Sequence, residues 1–511
     1  MALDTSFTYL LTNQLLGPGL SLDDGRGRVG MAPATGDDGQ HWRLVPHGAG
    51  KHALRSLRLG DCWSLDVDHD QRAVLAPTQD VTGQLWTVIP RADGTVKLIS
   101  DFTGPRRSLR ADGDTHELRL ERGDHDGHHW TLTRLIRIPD VLPVPVLGSS
   151  QEVEHTEGLS EPGLYVPPTG TARAVMLFVD FPDAPTTDPP VAGVADHLLG
   201  SGRAQRLFHD QSYGQLDLDV TVRSDLGRRR LPKPSTAYSW GTLEGTWESH
   251  RDYIADAAGR FPDVDFSAYE IAFIVAPEMG RFPLSPAFIA RAGDGPAAPG
   301  GAIHHAVTFG ADSYTNRFVN LVHETGHLLG LPDLYTIGSG AEDSRAGCWD
   351  IMSDIFRSVS FMAWHRYKSG WLPPARAVWI AEDTPGRTMT LHPLSRPEGV
   401  ATLVLPVDDP VCPTKVFVVE LAEPVIGTNG EPWGEGVLVS TVDASIPSGQ
   451  APVVVIPHRD SHSDVFGNLF EAPYGVGDVA YASEDPFASL TVEVHRKRGS
   501  TYEVQVSYHR H

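Results

Sequence analysis

Cysteine, positive charge and long apolar segments are all scarce in this sequence. Its 511 residues contain three cysteines, Cys62, Cys348 and Cys412, which allow at most one disulfide and exclude a cysteine-rich zinc site. Lys and Arg number 42 against 65 Asp and Glu. This acidic balance argues against nucleic acid as a partner, because phosphate binding needs a basic face. No apolar run approaches the roughly 18 residues of a membrane span, and the first residues lack the basic region of a secretory signal.

One segment, residues 318–335, contains metal-ligand residue types at fixed spacing. They are His323, Glu324, His327, Gly330 and Asp333. Residues four apart share one face of an α-helix, so His323 and His327 can offer two imidazole nitrogens to one ion. Neutral imidazoles suit zinc, and a turn at Gly330 would bring Asp333 back as third ligand, leaving a fourth position for water. Glu324 can then act as general base toward that water.

The same segment also permits a buried amphipathic helix with two core histidines. Its apolar neighbours Leu321, Val322 and Leu328 would pack equally well in a core. That alternative leaves the carboxylates and the glycine at these offsets without an explanation, and the metal site is therefore favoured.

Three motifs carry a resemblance to a known family. HETGHLLGLPDLY (323–335), CWDIMSD (348–354) and FMAWHRYKSGWL (361–372) resemble the secreted bacterial metallopeptidases of the immune inhibitor A type. The similarity spans about 170–375. It implies a metzincin-like zinc endopeptidase in which Met352 forms a turn beneath the metal and packs there without binding it.

Residues 1–136 contain three copies of one pattern. Each copy ends in Gly-Gln-x-Trp or Gly-His-x-Trp, and Trp42, Trp86 and Trp130 follow at equal steps of 44 residues (86 − 42 and 130 − 86). Short alternating runs bounded by Gly and Asp separate the tryptophans and predict strands. Three copies are too few to close a propeller.

This repeat resembles the ricin-type β-trefoil, which implies an all-β domain with the tryptophans in a shared core. In sugar-binding members of that family an acidic residue early in the repeat binds hydroxyls. Asp23 and Asp66 match this acidic position, whereas the third repeat has Arg110. The stacking position falls near Ala32 and Ala76, which offer no aromatic face. A trefoil that serves only as an interaction surface is therefore the alternative to glycan binding.

The remaining chain divides by composition. Residues 137–170 are rich in Pro, Gly, Ser and Glu and predict a linker. Residues 171–375 alternate apolar strands with helices, one of them predicted over 196–212, and predict an α+β peptidase domain. Residues 376–511 alternate short β-like runs with turns and predict a β-sandwich.

Several polar residues have weaker signals. Glu420 and Asp443 are candidates for a structural calcium ion, or are solvated carboxylates at strand ends. Metzincins often have a Tyr just past the Met turn, where this chain has Phe356, so Tyr367 is the candidate substitute for stabilising an oxyanion. The adjacent pair at 304–305 lacks ligand spacing and indicates loop histidines.

We therefore expect a multidomain zinc metalloendopeptidase that acts on proteins or peptides, with zinc as cofactor and a trefoil that targets it to glycans. The rival expectation is a carbohydrate-binding protein whose zincin domain is inactive or acts on something other than protein. The family resemblance predicts an extracellular protein, and the lack of a recognisable signal peptide leaves the cytoplasm as the alternative.

Overall fold

The structure is a computed structural model. It describes residues 4–5, 7–25, 29–35, 38–48, 50–60, 62–137, 147, 155–158, 160, 164–187, 189–242, 245–291, 293–337, 344–358, 360–409, 412–426, 432–458, 469–484 and 486–511. Most of the predicted linker, namely residues 138–146, 148–154, 159 and 161–163, lies outside the described residues. No helix among the described residues is long and apolar enough to cross a membrane.

The chain divides into two compact units. The first comprises Met1–Gly148 with Asp409–Pro413, and the second comprises Ser149–Asp408 with Thr414–His511.

The described residues of the first unit form strands and single 3-10 turns. The strands are β1 (Phe7–Asn13), β2 (Gly17–Asp23), β3 (Gly30–Pro33), β4 (Trp42–Pro46), β5 (Lys51–Ser56), β6 (Trp63–Val67), β7 (Ala73–Pro77), β8 (Trp86–Pro90), β9 (Val96–Ser100), β10 (Ser108–Ala111), β11 (Leu118–Glu121) and β12 (Trp130–Arg137). Strands β12, β9, β8, β5, β4 and β1 are hydrogen-bonded in that order, and β12 also pairs with β1, so they close into a barrel. The hairpins β2–β3, β6–β7 and β10–β11 complete three similar copies.

The repeated tryptophans occupy equivalent positions in the three copies. Trp42, Trp86 and Trp130 are fully buried. Their indole Nε1 atoms donate to the carbonyl oxygens of Leu22, Leu65 and Leu109 at 2.9, 2.8 and 2.9 Å. A closed barrel with three hairpins is the arrangement expected of a trefoil, and the predicted threefold β repeat is present in this unit. A disulfide within the unit joins Cys62 to Cys412.

The first half of the second unit mixes strands and helices. Its elements are β13 (Gly170–Asp180), α1 (Val191–Leu199), α2 (Arg203–Gln211), β14 (Leu216–Val222), β15 (Arg228–Arg230), α3 (Trp247–Ala258), β16 (Ile271–Val275), β17 (Ala287–Ile289), β18 (Ala297–Ala298), β19 (Gly301–Ala302), β20 (His305–Phe309), α4 (Asp312–Asn316), α5 (Phe318–Leu328) and α6 (Ala363–Lys368). The single helix predicted over 196–212 is wrong. Gly200 and Gly202 have left-handed φ angles of 57° and 81°, which divide the segment into α1 and α2.

The central sheet has the order β14-β13-β16-β20-β17. Strands β14, β13, β16 and β20 are parallel, which suits the continuous apolar run of β13 because both faces of a parallel strand are covered. Strand β17 lies at the edge and pairs antiparallel with β20. Helix α5 contacts both β17 and β20, so this edge of the sheet lies beside the predicted metal helix.

The second half of this unit forms two sheets around one core. Its strands are β21 (Ala377–Trp379), β22 (Thr384–Leu391), β23 (Thr402–Pro406), β24 (Lys415–Ala422), β25 (Val425–Ile426), β26 (Pro432–Trp433), β27 (Gly436–Asp443), β28 (Val453–Ile456), β29 (Val479–Glu484), β30 (Ala488–Arg498) and β31 (Thr501–Arg510). The two sheets around the core have the orders β21-β23-β24-β27-β28 and β22-β31-β30-β29, and β25 pairs separately with β26. Residues such as Phe417 and Val419 of the first sheet and Val492 and Val504 of the second share one buried cluster, as a β-sandwich requires.

Candidate metal centre

Helix α5 carries the first two predicted ligands on one face. The ring centroids of His323 and His327 lie 4.8 Å apart, as expected for residues one helical turn apart. The helix ends at Leu328, and Gly330 follows with a left-handed φ of 91°. A Cβ at Gly330 would lie 2.4 Å from the Oγ atom of Ser160. Glycine is therefore required both for the turn and for the close approach, and the turn brings Asp333 back beneath the helix.

The three predicted ligands converge. Asp333 Oδ1 lies 3.1 Å from His323 Nε2 and 3.3 Å from His327 Nε2. In a tetrahedral zinc site with bonds of about 2.05 Å, two ligand atoms are separated by about 3.3 Å. The observed spacing therefore already matches the edges of a zinc coordination sphere. Among the described residues this is the group of metal-ligand side chains close enough to share one ion.

The hydrogen bonds of the imidazoles leave their electron pairs pointing at the carboxylate. His323 Nδ1 lies 2.9 Å from the carbonyl oxygen of Ile351, and His327 Nδ1 lies 2.8 Å from that of Leu331. A carbonyl only accepts, so each neutral ring carries its hydrogen on Nδ1. Both Nε2 atoms then face Asp333 Oδ1, which is buried and has no hydrogen-bond partner among the described residues. Three electron-pair donors around one point fit a cation.

The electrostatics of the centre also favour positive charge. Burial opposes the charged form of both imidazoles, yet the Asp333 carboxylate holds the pKa of His323 and of His327 above its ordinary value. Burial likewise opposes ionisation of Asp333, but the two imidazoles hold the pKa of Asp333 well below its usual range. Negative charge on Asp333 and positive charge beside it therefore stabilise each other within this buried centre.

Glu324 lies between this centre and the edge of the sheet. Its side chain is buried, and its Oε2 atom accepts a hydrogen bond of 3.0 Å from the backbone N–H of Ala287 in β17. Burial raises the pKa of Glu324 to about 8. A cation on the neighbouring ligands would lower this pKa, because opposite charge favours the carboxylate. Glu324 is therefore placed to hold or release a proton beside the ligands.

Met352, the predicted turn methionine, packs against helix α5. The side chain is fully buried, and a Cβ built on Gly326 would come within 2.7 Å of its sulfur. Gly326 stands between His323 and His327 in sequence, so the thioether packs directly against the turn of α5 that carries the two predicted ligands. The backbone carbonyl of Met352 also accepts from the N–H of Leu334 at 3.0 Å.

The two candidate sugar-binding carboxylates in the first unit differ from each other. Asp23 is buried, and its Oδ1 accepts from the backbone N–H of Gly25 at 2.6 Å. Asp66 is partly exposed, and its Oδ2 accepts from Gln84 Nε2 at 3.0 Å. Only Asp66 therefore combines access to solvent with an oriented carboxylate.

The structure does not bring Glu420 and Asp443 together. Glu420 pairs with Leu438 across β24 and β27, whereas Asp443 pairs with Lys415 at the other end of the same two strands. Glu420 is buried, its Oε2 accepts from the N–H of Ala363 at 2.9 Å, and burial raises its pKa to about 7. This arrangement caps the start of α6 and does not form the predicted pair of calcium ligands.

The remaining candidates lie in other surroundings. Tyr367 packs on a small core and its ring lies 5.5 Å from that of Trp364, while Phe356 is 71% exposed. His304 and His305 line a cavity of about 260 Å³, and His305 Nε2 lies 2.9 Å from the carbonyl oxygen of Leu164.

Some contributors to the centre carry no recognisable signal in the sequence. The carbonyl groups of Leu331 and Ile351 and the N–H of Ala287 act through the backbone, which any residue could supply. His155 lies near His327 in space but within a stretch whose composition predicts a linker, so only the fold reveals it.

Comparison with known proteins finds no matching family and no matching curated protein. Among solved structures, several lectin-like β-trefoils match about a quarter of the chain. The designed threefold-symmetric protein ThreeFoil is 24% identical and covers 26% of this chain and 100% of its own, with a TM-score of 0.22. The Rhizoctonia solani agglutinin is 18% identical and covers 26% of this chain and 99% of its own, with a TM-score of 0.23. SeviL, solved with the asialo-GM1 saccharide, is 14% identical and covers 25% and 98%, with a TM-score of 0.22. TM-scores this low carry no argument about function.

Proposed function

We propose that the second unit is a zinc-dependent endopeptidase with His323, His327 and Asp333 as ligands and Glu324 as general base. The observation that carries the proposal is the convergence of the Nε2 atoms of His323 and His327 on one buried carboxylate oxygen, Oδ1 of Asp333, at 3.1 and 3.3 Å. A structural zinc site uses four protein ligands, whereas three with an open position are typical of hydrolytic sites.

Zinc bound there would lower the pKa of a coordinated water and polarise the substrate carbonyl. The chain itself supplies the proton transfer. Glu324 can take a proton from that water and deliver it to the leaving amine, since its carboxylate lies beside the ligand His323. Its hydrogen bond to Ala287 N–H fixes the orientation of the carboxylate.

The neighbouring edge strand supports a peptide as the substrate. Strand β17 pairs on one side with β20 and contacts α5. An extended peptide can add to such an edge by backbone hydrogen bonds, which would hold its scissile bond near Glu324. This geometry favours endopeptidase activity over hydrolysis of a small molecule.

We also propose that the first unit is a ricin-type β-trefoil that targets the enzyme to glycans, with Asp66 as the favoured contact. The oriented and partly exposed carboxylate of Asp66 supports this role, while buried Asp23 supports it less. A carbohydrate-binding protein with an inactive zincin domain is the second candidate. The Cys62–Cys412 disulfide supports an oxidising compartment and hence an extracellular location.

The experiment compares wild type with Glu324→Gln on casein, with zinc content measured for both proteins. We expect Glu324→Gln to keep its zinc and to lose at least about 100-fold in turnover, because a general base contributes about 10²–10⁴-fold. Glu248→Gln, an exposed carboxylate in α3, is the matched control and should retain full activity. Zinc in the wild type without cleavage of casein or of a peptide library, together with retention on glycan arrays, would favour the second candidate.

A further inference from the structure

The 155–157 segment, which precedes β13, packs against the metal centre. His155 Nε2 lies 2.8 Å from the carbonyl oxygen of Leu331 and 3.3 Å from Nδ1 of the ligand His327. His155 Nδ1 lies 3.0 Å from the hydroxyl of Tyr165. The imidazole is thus the immediate neighbour of a ligand on the side away from the ion.

The tautomer of His155 follows from these contacts. The carbonyl of Leu331 only accepts, so His155 carries a hydrogen on Nε2, and Nδ1 accepts from the Tyr165 hydroxyl. His327 Nδ1 also donates to the same carbonyl, at 2.8 Å. One carbonyl therefore receives two N–H donors, and His155 helps to fix the position of the oxygen that orients His327.

The backbone at His155 is held in an unfavourable conformation. Its φ is 72°, in the left-handed region, which is energetically costly for a residue with a Cβ. Glycine would adopt this φ without that cost. A histidine at this position is explained if its side chain, and not only its backbone, is needed.

Buried ionic contacts fix the segment from one side. Glu157 is fully buried, its Oε1 lies 2.9 Å from His365 Nε2, and its Oε2 accepts from Trp364 Nε1 at 2.9 Å. On its other nitrogen His365 lies 2.8 Å from Asp350, and Asp350 accepts from the N–H of Met352 at 2.8 Å. The segment is thereby connected to the turn beneath the ligands.

A second loop connects the segment to the third ligand. The N–H of Ser448 donates to the carbonyl of His155 at 3.1 Å, and Ser448 Oγ accepts from the N–H of Asp333 at 2.9 Å. The N–H of Gly449 in turn donates to the carbonyl of Asp333 at 3.1 Å. Two of the three ligands are thus oriented through contacts that involve the 155–157 segment.

We propose that His155 is a positioning residue of the metal centre and that Glu157 anchors the segment that presents it. The inference rests on the proposed zinc site. It extends that site beyond the catalytic motif to a segment 172 residues away from His327 in sequence.

The test compares full-length wild type with His155→Phe, which keeps a ring but removes the donor, and with His155→Gln, whose amide can restore an N–H near Nε2. Zinc dissociation constants are measured by chelator competition, the absorption bands of the Co²⁺-substituted proteins report ligand geometry, and thermal melts of the zinc-free proteins report folding. We expect His155→Phe to bind zinc about 10- to 100-fold more weakly with shifted Co²⁺ bands. His155→Gln should recover most of the affinity.

A Tyr165→Phe variant, which retains the ring, gives a second measurement in case the His155 variants misfold. It should weaken zinc binding by a smaller factor than His155→Phe does. Zinc binding by His155→Phe within twofold of wild type, with unchanged Co²⁺ bands, would overturn the inference and leave the proposed function intact. Equal losses in His155→Phe and His155→Gln that track lost thermal stability would also overturn it. A wild type that binds no zinc would overturn the proposed function and the inference together.

Discussion

The pH dependence of thermal stability distinguishes two roles for Glu420. Its carboxyl group is either a buried neutral cap of α6 or a charged calcium ligand. Burial raises the pKa of Glu420 from 4.5 to about 7. Because the folded-state pKa lies above the unfolded value, the group costs little stability below pH 4.5, opposes folding increasingly as the pH rises from 4.5 to about 7, and opposes it by a constant amount above that. At one pKa unit per 1.36 kcal/mol, the ionised carboxylate opposes folding by about 3 kcal/mol at pH 8 and by under about 1 kcal/mol at pH 5.

The perturbation is Glu420→Gln, which keeps the acceptor for the N–H of Ala363 and removes the ionisation. We expect the variant to melt several degrees above wild type at pH 8 and to differ little from it at pH 5. Thermal melts followed by tryptophan fluorescence measure the difference, each with calcium added or omitted and without chelator. Glu382→Gln, at an exposed carboxylate, serves as the control and should match wild type at both pH values.

The opposite outcome would show that the carboxylate is needed in its charged form. A calcium ligand would make wild type more stable with added calcium than without it at pH 8, and Glu420→Gln would lose that increment. A variant less stable than wild type at pH 8 would refute the assignment of Glu420 as a buried neutral cap of α6.

Two further substitutions test the packing of each unit. Gly326→Ala places a Cβ 2.7 Å from the sulfur of Met352, so we expect a loss of about 1–3 kcal/mol and weaker zinc binding in melts and chelator titrations. Gly259→Ala, at a helical φ of −61° with its nearest contact at 3.4 Å, should be neutral or slightly stabilising, and equal effects at the two glycines would contradict the steric argument. Trp86→Phe leaves the buried carbonyl of Leu65 without its 2.8 Å donor and should destabilise the first unit by about 1–3 kcal/mol in denaturant titrations. An unchanged midpoint would show that the repeated indole hydrogen bond is dispensable.

The parts of the fold that could be predicted from the sequence are those fixed by local geometry. His323 and His327 share a helical face at a separation of four residues, and Gly330 marks the turn that returns Asp333. The equal spacing of the tryptophans likewise indicates three copies before any strand is placed. In each case a few neighbouring residues determine the outcome.

The parts that could not be predicted depend on contacts between distant segments. The pattern over 196–212 is helical throughout, and only the left-handed backbone at Gly200 and Gly202 divides it. Glu420 and Asp443 are candidates for one calcium site from sequence because carboxylates with backbone oxygens suit that cation. The pairing of β24 with β27 separates them, since antiparallel strands place residues near the end of one strand opposite the start of the other.

The segment before β13 shows most clearly why sequence composition and structural contacts place the start of the second unit at different residues. Proline, glycine and polar residues predict a linker because they bury little apolar surface, and that reasoning is sound for the average residue. Glu157 is nevertheless buried in the second unit, because a charged group can be buried when each of its oxygens has a hydrogen-bond partner. Its partners His365 and Trp364 lie 208 and 207 residues away. A fragment of the second unit that begins at residue 171 would therefore leave His365 without one of its two carboxylates and His327 without its neighbour His155. Chelator competition on such a fragment would reveal the defect even if the fragment folded.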